Sequence, residues 1–382
     1  MRVALHDSDR TRFPNLPLMK LSAWHKAQGN AVERFIPLMN DSYDRVYSSK
    51  VFSFTAEEPN LPQNVVKGGT GYGSGPDLPD EIEHIMPDYS LYPAFRASLG
   101  FTTRGCIRTC PWCVVPGKEG KIHAHAEIEE FLRPGCRDVV LMDNNILAHE
   151  HGIAQLERTI TLNLRIDCNQ GLDARLIAAD DALAHLLSRV HWLKSIRLAC
   201  DHKSQMASVE QSVAAIRRHG GKKYNFSCYV LVKKVSDALE RIEFLRALGV
   251  EPFAQPYREP GSKSVPAQDL RRLARWCNHK AIFKTVPWPK YQRRCGMKGL
   301  VVDLFAGGGG ASTGLAWALG RDPDIAINHD AQALAMHAAN HPGTRHLQND
   351  ITRVLPLEAT GGLPVDILHA SPDCSRTLKQ WR

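Results

Sequence analysis

Between Leu99 and Tyr257 the chain alternates short apolar runs with amphipathic stretches of helical period. That is the pattern of strand and helix units laid along a parallel sheet. The apolar runs predict strands over 98–104, 138–142, 164–169, 195–200, 225–232 and 250–255. Helices are expected between them, the clearest running from Val209 to His219 and from Ser236 to Leu248. The first is closed by Gly220 and Gly221 and the second by Gly249, residues suited to a helix stop. Polar side chains gather where the strands end: Asp143, Asn144 and Asn145; Asn169, Gln170, Asp173 and Arg175; Asp201 and His202; Gln255, Tyr257 and Arg258. Any one of them could equally serve a loop or a helix cap.

Two flanking segments carry patterns of their own. Val3 to Leu5, an amphipathic helix from Met19 to Gln28 and an apolar run from Val46 to Phe54 predict a small α/β unit within residues 1–90. The run Lys67-Gly-Gly-Thr-Gly-Tyr-Gly-Ser-Gly could cradle a phosphate, but no helix follows it promptly, and a flexible loop is the simpler expectation. After a connector at 286–296 rich in proline and basic residues, Leu300-Val-Val-Asp-Leu-Phe leads into four glycines and a helix start. Such a turn lets backbone approach a nucleoside cofactor closely. The expected domains are therefore 1–90, 91–285, the linker 286–296, and 297–382.

Charge is uneven along these domains. The net is −3 over 1–90, +12 over 91–296 and −1 over 297–382. A nucleic acid is one possible partner for the basic middle segment. The competing expectation is an ordinary solvated face, since Arg271, Arg272 and Arg275 lie opposite the stripe Leu270, Leu273, Ala274 and Cys277 on a predicted helix. No transmembrane run or signal-peptide core is visible, and the ten cysteines lack a disulfide framework, so the expected compartment is the reducing cytoplasm, with no membrane partner.

Three of those cysteines, Cys106, Cys110 and Cys113, fall within Gly-Cys-Ile-Arg-Thr-Cys-Pro-Trp-Cys at the end of the first predicted strand of the series. Three thiolates can hold an iron–sulfur cube and leave one iron open to a further ligand. A structural zinc site that recruits His123 or His125 is the alternative. The scattered Cys136, Cys168, Cys200, Cys228, Cys277 and Cys295 are expected to fill core space.

The CxxxCxxC spacing, with Trp112 before its last cysteine, resembles the radical S-adenosylmethionine (radical SAM) enzymes. The resemblance covers about residues 91–296 and implies a partial (β/α)6 barrel, which places chemistry at the C-terminal ends of its strands. It further implies a [4Fe–4S] cluster on Cys106, Cys110 and Cys113, S-adenosylmethionine (SAM) as co-substrate, a one-electron reductant, and Trp112 at the cofactor. The Gly-Gly-Glu common after the second strand of that family is replaced here by Asp-Asn-Asn, which makes Asp143 and Asn144 the expected contacts to the SAM amino group. Some members carry an N-terminal cobalamin domain. His6 is followed by Asp-Ser-Asp rather than by the loop that supplies a cobalt ligand, so cobalamin is not expected.

The C-terminal segment resembles the first four motifs of DNA cytosine-5 methyltransferases: Asp-Leu-Phe-Ala-Gly-Gly-Gly-Gly, then Asn-His-Asp at 328–330, Asn-Asp at 349–350 and Ala-Ser-Pro-Asp-Cys at 370–374. By position, the resemblance implies that Asp303, Phe305 and Gly307 line a SAM pocket, that Asp330 sits near the ribose and Asp350 near the adenine, and that Cys374 is the nucleophile. The Glu-Asn-Val motif and the target-recognition domain of that family are not found after it. The expectation is a truncated Rossmann-like methyltransferase segment, with Met297 as a former start, joined to a radical SAM enzyme. Three classes stay open: a radical SAM enzyme, a DNA cytosine-5 methyltransferase, and a non-catalytic nucleic-acid-binding protein.

Overall fold

The computed structural model describes residues 1–73, 77–221, 225–293 and 299–372. The chain forms two compact units, Met1–Thr285 and Val286–Arg382. Residues 1–90 are thus part of the same body as the segment that follows them.

Its first sheet contains β1 (Arg2–Asp7), β2 (Ala31–Arg34), β3 (Arg45–Ser49) and β4 (Val66–Gly68), all parallel in the order β2-β1-β3-β4. The central strand β1 buries Val3, Ala4 and Leu5. Between β1 and β2 the helix Leu16–Ala27 begins at Asn15, whose side chain accepts from the Leu18 amide, three residues before the expected start. That extra turn buries Leu16 and Leu18. Leu18 packs with Val3, Leu5, Leu21 and Ile82, whereas Leu16 packs with Ala97, Leu99 and Val140 and so joins the N-terminal sheet to the next one.

The second set of strands is β5 (Ser98–Gly100), β6 (Thr103–Arg104), β7 (His123–Ala124), β8 (Asp138–Leu141), β9 (Arg165–Cys168), β10 (His191–Trp192), β11 (Ile196–Ala199), β12 (Phe226–Val232) and β13 (Glu251–Pro256). They form parallel sheets ordered β10-β9-β8-β5 and β11-β12-β13, with β6 and β7 apart as an antiparallel pair. A single parallel bridge from Leu172 to Leu198 links the end of β9 to β11. The six expected strands therefore follow one another as β5, β8, β9, β11, β12 and β13, each within a few residues of its expected limits. The first departs most. It stops at Gly100 rather than at residue 104, and Thr103–Arg104 turns away to pair with His123–Ala124.

Helices cover this sheet because their apolar faces have nowhere else to go. Met206–Arg218 buries Val209, Val213 and Ile216, Val235–Ala247 buries Ala238, Ile242 and Leu245, and Gln268–Asn278 buries Leu273, Ala274, Trp276 and Cys277. On the last helix Trp276, absent from the expected stripe, is fully buried, while Arg271 and Arg275 face solvent. Among the described residues no helix is long and apolar enough to cross a membrane.

The second unit holds β14 (Leu300–Leu304), β15 (Ile325–Asn328), β16 (Arg345–Gln348) and β17 (Val365–Ala370), parallel in the order β16-β15-β14-β17. Val302, Ile325 and Ile327 form its core, with Leu300, Leu304 and Leu347 packed against them.

Candidate functional site

The loop that carries the three cysteines is set up by the early end of β5. Asp143, just beyond β8, is buried and accepts hydrogen bonds from the backbone amides and hydroxyls of both Thr102 and Thr103. Those amides are therefore drawn to a carboxylate instead of extending the parallel ladder. Burial holds the Asp143 carboxyl above the usual carboxylate range even against these donors. Gly105 then turns the chain at φ 78°, where a Cβ would lie 2.3 Å from the Lys121 carbonyl oxygen. Glu119 closes the loop's base: one of its oxygens accepts from the Gly105 amide at 3.0 Å and from Asn144 Nδ2 at 2.8 Å, and it pairs with Arg104.

From this base the loop meets the carboxyl ends of the parallel strands. Asn145 Nδ2 donates to Cys106 Sγ at 3.5 Å, and the Arg108 amide donates to the same sulfur at 3.3 Å. Asn145 is 3% exposed, and its Oδ1 is buried with no hydrogen-bond partner among the described residues. Arg108 Nε donates to Asp173, which also takes a forked pair of bonds from Arg175. On the far side the Lys233 ammonium, one residue past β12, lies 4.6 Å from the Trp112 ring centroid and 4.4 Å from that of Tyr257, just past β13. Asp201, beyond β11, accepts from the Leu231 amide, and burial pushes its carboxyl up.

The thiols themselves are free, with Cys106 and Cys110 half-buried and Cys113 exposed. Burial raises the Cys110 and Cys113 thiols above their ordinary value, and Arg175 only partly offsets this at Cys110. They are therefore protonated at neutral pH until a metal takes the proton's place. Among the described residues no three His, Cys, Asp or Glu side chains gather round one metal-ion position. A mononuclear zinc site needs that convergence once the metal is bound; of the histidines that could join it, His125 has Nε2 3.2 Å from Glu83 and His123 has Nδ1 3.0 Å from the Lys121 carbonyl oxygen, each contact taking one ring nitrogen. A cube makes a different demand, since each thiolate binds a different iron. Three unpaired sulfurs on one loop, one of them already receiving an amide donor, suit that chemistry.

The other cysteines sit apart from this loop. Cys168, Cys200, Cys228 and Cys277 are buried, with burial pushing Cys200 to about 11 and Cys277 to about 12. Cys136 donates to the carbonyl oxygens of Arg96 and Asp138. Cys295 lies outside the described residues. Of the residues expected at the SAM amino group, Asp143 takes its threonine donors mainly on Oδ1, and Asn144 engages Glu119 through its Nδ2 donor; the neighbouring Asn145 adds a further strand-end acceptor, its Oδ1. Glu119 and Lys233 were not anticipated. Lys233 follows a predicted strand directly, and the strand-end pattern that singled out Asp201 could have found it.

In the second unit Asp303, 1% exposed, accepts from Ser312 Oγ at 2.7 Å and lies 2.8 Å from His369 Nδ1. It ties β14 to the helix after the glycine turn and to β17. Phe305 holds φ 57°, unusual for an aromatic residue, and Gly307 is exposed in the turn that follows. Asp330 and Asp350 cap the helical segments Ala331–Asn340 and Ile351–Arg353, each through Oδ1 alone. Cys374 lies outside the described residues.

No known family model matches the chain, and no curated protein does. Among solved structures it is similar to a UDP-glucose:anthocyanidin 3-O-glucosyltransferase in complex with UDP, at 9% identity and a TM-score of 0.14, over 92% of this chain and 72% of that one. A likeness that slight carries no argument about fold or function.

Proposed function

We propose that residues 91–285 are a radical SAM enzyme whose partial barrel holds a [4Fe–4S] cluster on Cys106, Cys110 and Cys113. One observation carries the reading: three unpaired thiols on a single loop, moored by Asn145 and Asp173 at the carboxyl ends of parallel strands that run in chain order. When bound, the cluster supplies the electron that cleaves SAM reductively to methionine and a 5′-deoxyadenosyl radical. The chain's own residues hold that chemistry. Asn145 Nδ2 supports the sulfur of Cys106, and its Oδ1, which has no partner among the described residues, joins Asp143 and Asn144 as an acceptor for the SAM ammonium. Lys233 lies against the rings of Trp112 and Tyr257, which ties the end of the loop to the ends of β12 and β13. Anaerobic reconstitution with iron and sulfide tests the ligand set. Wild type is expected to bind about four irons per chain, Cys106→Ala, Cys110→Ala and Cys113→Ala to lose them, and Cys136→Ala to keep them. One zinc per chain with no bound iron would contradict the proposal.

A second SAM site belongs to the same proposal for residues 297–382. Its support is the strand order β16-β15-β14-β17 with a glycine turn after β14, the arrangement of doubly wound nucleotide-binding sheets. Asp330 and Asp350 each retain an oxygen outside their caps for the ribose and adenine. Equilibrium dialysis with SAM on the Cys106→Ala chain tests it, with binding expected to weaken in Asp330→Ala and absence of binding contradicting it.

A further inference from the structure

We propose that the carboxyl edge of β1 and β3 is a binding site for a phosphate-bearing small molecule, separate from the cysteine loop. In the order β2-β1-β3-β4 the chain moves outward in one direction from β1 to β2 and in the other from β3 to β4. The crevice beyond the strand ends at such a reversal is where open parallel sheets take their ligands. Fold alone does not make a site, but the side chains at this edge are polar and buried.

His6, at the end of β1, is 6% exposed, Ser8 7%, Ser48 2% and Lys50 2%. Ser48 Oγ lies 2.9 Å from His6 Nδ1 and 2.7 Å from the Tyr72 hydroxyl, and Ser8 Oγ lies 3.0 Å from that hydroxyl. His6 Nε2 is buried and has no hydrogen-bond partner among the described residues. Two ammonium groups face the Tyr72 ring, Lys50 at 5.1 Å and Lys67 at 5.2 Å from its centroid. Lys67 pairs with Glu57, whose carboxylate also feels the Lys50 charge, while among the described residues Lys50 makes no hydrogen bond or close ion pair of its own. Two ammonium groups thus share the one Glu57 carboxylate, a positive excess that a binding anion would meet.

Two further acids of the edge are committed elsewhere. Asp7 accepts from the Tyr92 hydroxyl, and Asp9 is spent on the Val51 and Phe52 amides and the Thr55 hydroxyl. The backbone shapes the same corner. Gly69 at φ 94° and Gly71 cross so close to Lys50 that a Cβ on either would meet it, at 2.4 Å from its carbonyl oxygen and 2.6 Å from its Cγ. An ammonium, three hydroxyls and an imidazole nitrogen suit a phosphate monoester, whose terminal oxygens accept from several directions.

Calorimetric titration of the full apo chain with ribose 5-phosphate, and competition by inorganic phosphate, tests the site. Saturable binding is expected, displaced by inorganic phosphate, weakened about tenfold or more in Lys50→Gln and measurably in Tyr72→Phe, and unchanged in Cys106→Ala. Absence of saturable binding in the folded wild type overturns the proposal. So does equal affinity in Tyr72→Phe, which keeps the ring over Lys50 and decides the matter if Lys50→Gln fails to fold. Because the cysteine variant is the independent arm, loss of the cluster reading would leave this result standing.

Discussion

Arg108 Nε donates to Asp173 Oδ2 at 2.9 Å, joining the middle of the cysteine loop to the helix that follows β9. Asp173 also caps that helix through the Arg175 amide. Its replacement by alanine should cost about 1 kcal/mol for the cap and, in addition, release the loop. Asp180→Ala removes the cap of the next helix, with no tie to the loop. The two variants should melt at similar temperatures, with only Asp173→Ala losing iron on gel filtration. Equal iron content in both would show that the mooring is immaterial.

Gly105 and Gly117 lie at either end of the same loop and should respond oppositely to alanine. At Gly105 the positive φ and the Lys121 carbonyl oxygen oppose a Cβ, a strain of about 1–3 kcal/mol. Gly117, in the helical turn Val115–Lys118, has open space around it, and alanine there should be neutral or gain up to about 1 kcal/mol. Thermal melts of both variants, with iron content alongside, check this. A Gly105→Ala chain as stable as wild type would refute the loop geometry.

Asn145 is expected to tune the cluster. Hydrogen bonds to cluster and ligand sulfurs favour the reduced state, so Asn145→Leu should lower the reduction potential while keeping about four irons. Redox titration followed by electron paramagnetic resonance gives the sign. An unchanged or higher potential would count against contact between this amide and a ligand sulfur.

Acid stability should depend on Glu83. Burial alone would raise its carboxyl, but the hydrogen bonds and charges of His125 and Lys20 outweigh it and hold the group at about 2, against 4.5 for a free side chain. The native state thus gives up this proton more readily than the unfolded chain. The stabilisation is complete above pH 4.5, and it is lost as pH falls toward 2, up to about 3 kcal/mol in all. Urea melts between those limits should show a shallower pH dependence in Glu83→Gln, and an unaltered slope would contradict the assignment.

Most strand positions were legible because buried parallel strands are continuous apolar runs, as in Asp138–Leu141 and Phe226–Val232. The short edge strand β10 offers too few residues to leave a pattern. Thr103 and Arg104 read as the tail of the first strand because nothing local reveals that Asp143, some forty residues on, captures the Thr102 and Thr103 amides. The same long-range fact explains the site. The cysteines announce themselves by spacing, but that Asp143 gathers two threonines while Asn144 reaches Glu119 and Asn145 reaches Cys106 is decided only through the fold.

The central claim is that Cys106, Cys110 and Cys113 support reductive cleavage of SAM. The direct measurement is 5′-deoxyadenosine formed by reconstituted protein with SAM and dithionite under strict anaerobiosis, quantified by liquid chromatography. Slow formation of 5′-deoxyadenosine and methionine is expected even without a further substrate, abolished in each of the three cysteine variants and unaffected by Cys374→Ala. Fully loaded wild-type protein that yields no 5′-deoxyadenosine under these conditions would contradict it.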